Sequence, residues 1–258
     1  MPNWVTNVVR IHNRVEEFKK NFFIEEEGET VFDFNKIIPM PKDLMITSGS
    51  DSYEYLDNNT IKELFIKTLM PSDTQETFVD KVLLNIVKEG ITLTDDEEAK
   101  NRELDRVSNQ AKGYFNMVRY GYQDWYDWSR AKWGTKWNAC DTVITVDYCG
   151  ELCFTFNTAW CTPEGVFRKL AQMGYEFTVA FADEDIGNNV GLLRTKDNDI
   201  EFYDLTENNN PHILAIAIKG SNLYEDEIMS VLDDYEVEYT EEQVKEAVET
   251  LQDYVPSY

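Results

Sequence analysis

Asp141-Thr-Val-Ile-Thr-Val-Asp-Tyr148 and Leu152-Cys-Phe-Thr-Phe-Asn-Thr158 flank Cys149-Gly-Glu151. Alternation of β-branched or aromatic residues with short polar ones on either side of a glycine turn marks a β-hairpin with one buried face. Val143 and Val146 differ in parity, so the register of the first strand stays open. The hairpin leads into Thr162-Pro-Glu-Gly165. A capping hydroxyl, a proline in the first turn and an acid near the positive end of the dipole start a helix there. Val166, Phe167 and Leu170 give that helix an apolar face, Gly174 ends it, and Tyr175–Ala182 returns as a strand. Val190–Arg194 and Ile200–Leu205 form a closing hairpin. The order predicts an α+β fold, an antiparallel sheet with helices on one face.

Toward the N-terminus, Trp4–His12 has strand composition, and Val15, Phe18 and Phe22 recur at helical spacing between Arg14 and Phe23. Phe32-Asp-Phe-Asn-Lys-Ile-Ile-Pro-Met-Pro41 is an apolar run stopped by two prolines. From Thr60 to Asn109 the pattern is helical, with Ile61, Leu64, Phe65 and Leu69, a turn at Met70-Pro71, then Phe78, Val82, Leu83, Ile86 and Val87. A helical insertion at about 56–112 is thus expected within a domain of residues 1–205. Tyr114–Trp128 reads as a further helix through Phe115, Val118, Tyr122, Trp125 and Trp128, with Gly134 placed to end it.

Residues 206–258 read as an acidic C-terminal extension. Ile213–Ile218 is apolar and β-branched, and a strand is favoured there over a buried helix. Two acidic helices follow near 222–235 and 240–254, the second opened by the capping box Thr240-Glu-Glu-Gln243.

With 42% hydrophobic residues the chain can bury a sizeable core. No segment approaches the roughly 18 apolar residues of a membrane span, and Met1-Pro-Asn-Trp-Val5 lacks the regions of a signal peptide, so the expected location is cytoplasmic. Cys140, Cys149, Cys153 and Cys161 contain no Cys-x-x-Cys pair, and both histidines, His12 and His212, are distant in sequence. Reduced thiols in a sheet are expected rather than a disulfide framework or a zinc site.

The net charge of −25 is unevenly spread. Residues 176–258 hold 21 acidic and 4 basic side chains, whereas residues 100–140 hold eight basic and four acidic ones. The chain is electrostatically polarised.

Four of six tryptophans, Trp125, Trp128, Trp133 and Trp137, fall within thirteen residues. Trp125 and Trp128 share a helical face and read as core. Trp133 and Trp137, beside Arg130, Lys132 and Lys136, are the candidates for a stacking platform, where each stacked base is worth about 1–3 kcal/mol.

Met1-Pro-Asn-Trp-Val-Thr-Asn7, the Phe32–Pro41 run, Trp125-Tyr-Asp-Trp128 with Trp133-Gly-Thr-Lys-Trp137, and Phe154-Thr-Phe-Asn-Thr-Ala-Trp160 before Pro163 together resemble the YubB-like family of phage and plasmid proteins. The resemblance covers about residues 1–205. It departs at Val5, where many relatives carry Cys, and does not reach the acidic tail. It implies a ferredoxin-like domain and a mobile-element context but no activity. Such a context suits modulation of host nucleic-acid machinery or blockade of a host defence system.

Against that background the acidic helices carry the leading expectation. A rigid array of carboxylates can take the place of phosphates in a basic groove. Glu225, Asp226, Glu227, Asp233, Asp234, Glu241, Glu242 and Glu246 are the expected partner-binding residues, and a host defence protein with a nucleic-acid groove is the expected partner. The alternatives are nucleic-acid binding by the basic and aromatic 100–140 region and a nucleotide-binding module. Direct nucleic-acid binding is disfavoured by the net charge. No catalytic residues, metal or cofactor are expected: neither histidine sits in a triad or metal spacing, and Asp183-Glu-Asp185 lacks the strand–loop–helix setting of a phosphate loop.

Overall fold

The computed structural model describes residues 3–48, 59–94, 96, 98–146, 151–208, 210–220 and 223–255. Along the chain run β1 (Trp4–Ile11), α1 (Val15–Phe22), β2 (Phe23–Glu26), β3 (Glu29–Phe32), α2 (Asn59–Thr68), α3 (Gln75–Glu89), α4 (Lys100–Tyr120) and α5 (Trp125–Lys132). There follow β4 (Cys140–Val146), β5 (Leu152–Ala159), α6 (Glu164–Gln172), β6 (Phe177–Asp183), β7 (Gly191–Lys196), β8 (Asp199–Asp204), α7 (Pro211–Gly220), α8 (Glu225–Asp234) and α9 (Glu241–Leu251). Contacts divide them into two compact units, Met1–Pro39 with Ala131–Tyr258, and Met40–Arg130.

In the first unit, six strands among the described residues form one sheet in the order β4-β5-β1-β6-β7-β8, every neighbour antiparallel. The path β1-α1-β4-β5-α6-β6 is the βαββαβ arrangement of a ferredoxin-like fold. Residues 40–130 interrupt its first crossover in sequence, and β7-β8 extends the sheet beyond β6.

Register explains the core. Val9 lies between Phe154 and Val179, and Ile11 between Leu152 and Phe177, so these side chains share one face. That face meets α1 and α6: the Phe18 ring is 5.9 Å from Phe154, and Phe167 is 5.4 Å from Phe177. On the opposite face Val8, Ala180, Ala182 and Leu192 pack with Ile213–Ile218 of α7 and with the inner sides of α8 and α9. Residues 206–255 therefore share a core with β1 and β6.

Several local expectations need correction. Ile213–Ile218 is a helix, not a strand, and all six of its side chains are buried. A helix covered on all sides loses its polar stripe, so no 3.6-residue period remained to separate it from a buried strand. Tyr114–Trp128 is two helices: Gly121 takes φ 80°, where its N–H caps Met117, and Asp124 Oδ1 accepts the Tyr126 N–H to start α5. Thr162 does not cap α6; its hydroxyl donates to Asn7 Oδ1 at 2.7 Å.

The β4–β5 register shifts by one residue between Cys140 and Val143, after which Val143 pairs with Thr155 and Val146 with Leu152. Cys149 and the expected turn lie outside the described residues. A hairpin absent from the sequence reading, β2–β3, turns at Glu27-Gly28, both with positive φ.

The second unit is helical. Ile61, Leu64, Phe65, Phe78, Val82, Ile86, Val107, Ala111 and Phe115 form its core, closed by the Thr74 capping box of α3. Val87, assigned to the apolar face from the sequence, is exposed. Fully buried Asn116 donates to the carbonyls of Asp43 and Gln123 and accepts from Gln75 Nε2, each within 2.9 Å. Its three bonds follow from the cost of leaving a buried amide unmet. The helical insertion expected at about 56–112 falls inside this unit, whose bounds are wider.

Candidate functional site

Helices α8 and α9 bury one side each: Ile228 and Leu232 in the first, Val244, Ala247 and Leu251 in the second. The amphipathic period that seats them turns the remaining positions outward. All eight carboxylates singled out in the sequence, Glu225, Asp226, Glu227, Asp233, Asp234, Glu241, Glu242 and Glu246, are exposed. Between Leu223 and Val255 the chain carries twelve carboxylates and a single basic residue, Lys245.

Helix stability accounts for only part of this charge. Glu225, Asp226 and Glu227 in the first turn of α8, and Glu241 and Glu242 in that of α9, complement the positive ends of their dipoles. Asp233 and Asp234 sit at the opposite, negative end of α8, where an anion is unfavourable by about 0.3–1 kcal/mol. Glu242 and Glu246 are like charges four residues apart, unfavourable by about 0.2–0.5 kcal/mol. The reciprocal Thr240–Gln243 capping box fixes the start of α9 in spite of that repulsion.

The tryptophan segment is divided between core and surface. Trp128 is buried, and Trp125 is half-buried. Trp133, expected to be a partly exposed platform residue, is 4% exposed. Its indole N–H donates to the Ile38 carbonyl at 2.9 Å, and its ring meets the edge of Phe34. This is a correction: a Trp flanked by lysines in sequence enters the core because the chain after α5 turns inward at Gly134, φ 89°.

The turn packs tightly on the start of α6. The Gly165 N–H bonds the Trp133 carbonyl, and a Cβ on Gly165 would approach the Lys132 carbonyl oxygen to 2.1 Å. Arg130 and Lys132 are exposed, and the Arg130 guanidinium lies 5.2 Å from the Tyr126 ring.

Trp137 is half-buried and faces residues that the sequence reading did not assign to a site. Trp4 lies 5.8 Å from it, ring to ring. The Lys136 ammonium is 4.4 Å from the Trp137 ring and 4.8 Å from that of Trp160. Trp4 opens β1 and pairs with Ala159, the last residue of β5, so Trp160 follows directly after its partner. Their occurrence at strand ends was the available signal.

Among the described residues no group of three or more His, Cys, Asp or Glu side chains is arranged to hold a metal. Asp183 is buried and accepts the Asp185 N–H at 2.9 Å. His12 contacts Glu151 and Thr178 through its two ring nitrogens. Burial, then the Asp141 charge, pushes the Cys140 thiol above its ordinary pKa, which disfavours the reactive thiolate. Among the described residues no helix is long and apolar enough to cross a membrane.

A crystal structure of a protein api92 from Yersinia pseudotuberculosis is similar over 79% of this chain and 99% of its own, at 11% identity and a TM-score of 0.38. No curated protein matches. Residues 132–252 match the family model described as the ferredoxin-like domain in Api92-like protein, so from the turn before β4 through the acidic helices the chain is similar to that domain.

Proposed function

We propose that the protein is a phage- or plasmid-encoded inhibitor that binds a host nucleic-acid-using defence protein stoichiometrically in the host cytoplasm. The carboxylates of α8 and α9 stand in for phosphates, and the protein binds without catalysing a reaction. One observation carries this reading: the acidic residues lie on helices whose apolar sides are locked into the sheet's core, with Asp233 and Asp234 kept at an unfavourable helix end. A fixed array can present charges at set spacings, and neutralising a basic groove releases counterions as DNA does. The YubB-like resemblance supplies the mobile-element context.

The test is capture from host lysate by the wild-type chain and by a variant with the eight carboxylates changed to Asn or Gln. A nucleic-acid-binding protein retained by the first and lost by the second supports the reading. Equal retention by both overturns it. Binding of nucleic acid by the 100–140 region is the weaker reading, since Trp133 is in the core.

A further inference from the structure

A cluster of three indoles and one ammonium at the end of the sheet is separate from the carboxylates of α8 and α9 and does not rest on the function proposed for them. We propose that the rings of Trp137 and Trp160 form a binding site for a small organic ammonium ion, and that Lys136 occupies this site when no ligand is present.

A single ammonium, Lys136 Nζ, lies within 5 Å of two ring centroids, 4.4 Å from Trp137 and 4.8 Å from Trp160. Both distances fall inside the range of about 6 Å over which the negative face of an indole attracts a cation. Trp4 packs on Trp137 at 5.8 Å and supports that ring. The internal lysine thus reports the chemistry that the site accepts.

The backbone at Trp160 is strained. Trp160 has φ 75°, in the left-handed region that favours glycine, and a bulky aromatic there is an outlier. Its N–H donates to the Asn3 carbonyl at 2.8 Å, and its carbonyl accepts from Asn189 Nδ2 at 3.1 Å. The strain is held by both neighbours in place, and such over-determined strain clusters at ligand sites. The indole so presented remains 36% exposed.

Charge selects the ligand. The amide of Asn189 that binds Trp160 also reaches Asp183 Oδ2 at 3.5 Å, and the Glu184 N–H donates to the Trp4 carbonyl at 2.8 Å. The Asp183-Glu184-Asp185 run thereby lies along the backbone of two of the three tryptophans. Its field favours a cation and opposes a phosphate or nucleotide. Lys136 can leave without moving the chain: its neighbour Thr135 is buried and bonds the Ala159 carbonyl at 2.8 Å, while the lysine stem is a flexible four-carbon chain.

Titration of the full chain with tetramethylammonium chloride, followed through the indole N–H signals in proton–nitrogen spectra, tests the site. Sodium chloride at equal ionic strength is the control. In Lys136→Ala the Trp137 and Trp160 signals shift saturably with tetramethylammonium alone, at a midpoint about tenfold below that of the wild type. Lys136→Met, whose uncharged side chain fills the same space, binds more weakly than Lys136→Ala. Adding Trp160→Leu to Lys136→Ala removes the saturable shift at Trp137. Absence of a saturable shift in Lys136→Ala, or equal midpoints in that variant and the wild type, overturns the proposal. The comparison of Lys136→Ala with the wild type keeps every ring and decides the matter even if the Trp160→Leu variant does not fold.

Discussion

The Thr162 hydroxyl donates to Oδ1 of Asn7 at 2.7 Å, and Asn7 in turn donates through Nδ2 to Thr158 Oγ1 at 2.9 Å. Asn7 and Thr158 are fully buried in the centre of the sheet. These bonds tie β1 to the segment joining β5 and α6. Removing one partner leaves a buried polar atom unmet, at a cost of about 1–3 kcal/mol. Thr162→Val and Asn7→Ala are each expected to destabilise by that amount in urea unfolding. A change below about 0.5 kcal/mol in both would contradict the role.

Helix α7 and the inner sides of α8 and α9 belong to the sheet's core, not to a detachable tail. Ile218→Ala should cost about 2–5 kcal/mol, the range for truncating a buried isoleucine. Ending the chain after Leu205 would expose Val8, Ala180, Ala182 and Leu192 together. The truncated chain is expected to bind a hydrophobic dye and lose cooperative thermal unfolding. A well-folded truncation product would show that residues 206–258 are dispensable.

Glu201 on β8 is held at a pKa of about 2 by the Lys196 ammonium first, then by the Tyr203 hydroxyl and the Arg194 guanidinium. Lys196 Nζ is 2.6 Å and Arg194 Nη2 2.7 Å from its oxygens. A lowered carboxyl pKa favours the folded state fully above the ordinary value of 4.5, and that contribution is lost as pH falls through about 2. The group is half-buried and its partners Lys196 and Arg194 are exposed, so the effect on stability is screened and small. Carbon-detected titration should place the midpoint near 2, and Lys196→Met should move it up. An unchanged midpoint in that variant would remove the assigned cause.

Where the fold's determinants are local, the sequence displays them. The alternation along β5, the Phe18–Phe22 stripe of α1 and the Thr240–Gln243 box each depend on residues a few positions apart, and each appears in the structure. On β4 the expected buried face does not form, since the neighbours Val143 and Ile144 are both exposed. The errors arose where distant packing decides. Ile213–Ile218 shows no helical period because every side is covered. Thr162 prefers Asn7, 155 residues away, to the amides of its own helix. Trp133 enters the core through a carbonyl at Ile38 that no local pattern identifies. Of the candidate surfaces, the exposed carboxylates were legible from helical period alone, while the grouping of Trp4, Trp137 and Trp160 required the pairing of β1 with β5.

Competition between this protein and DNA or RNA for the captured host partner tests whether the carboxylates of α8 and α9 replace phosphates. Anisotropy of a labelled nucleic acid bound to that partner would be measured while wild-type or carboxylate-neutralised protein is added over a range of salt concentrations. Substitution for phosphates predicts full displacement at one equivalent by the wild type, weakening steeply with salt, and loss of displacement by the neutralised variant. A stable ternary complex, or equal displacement by both proteins, would contradict it.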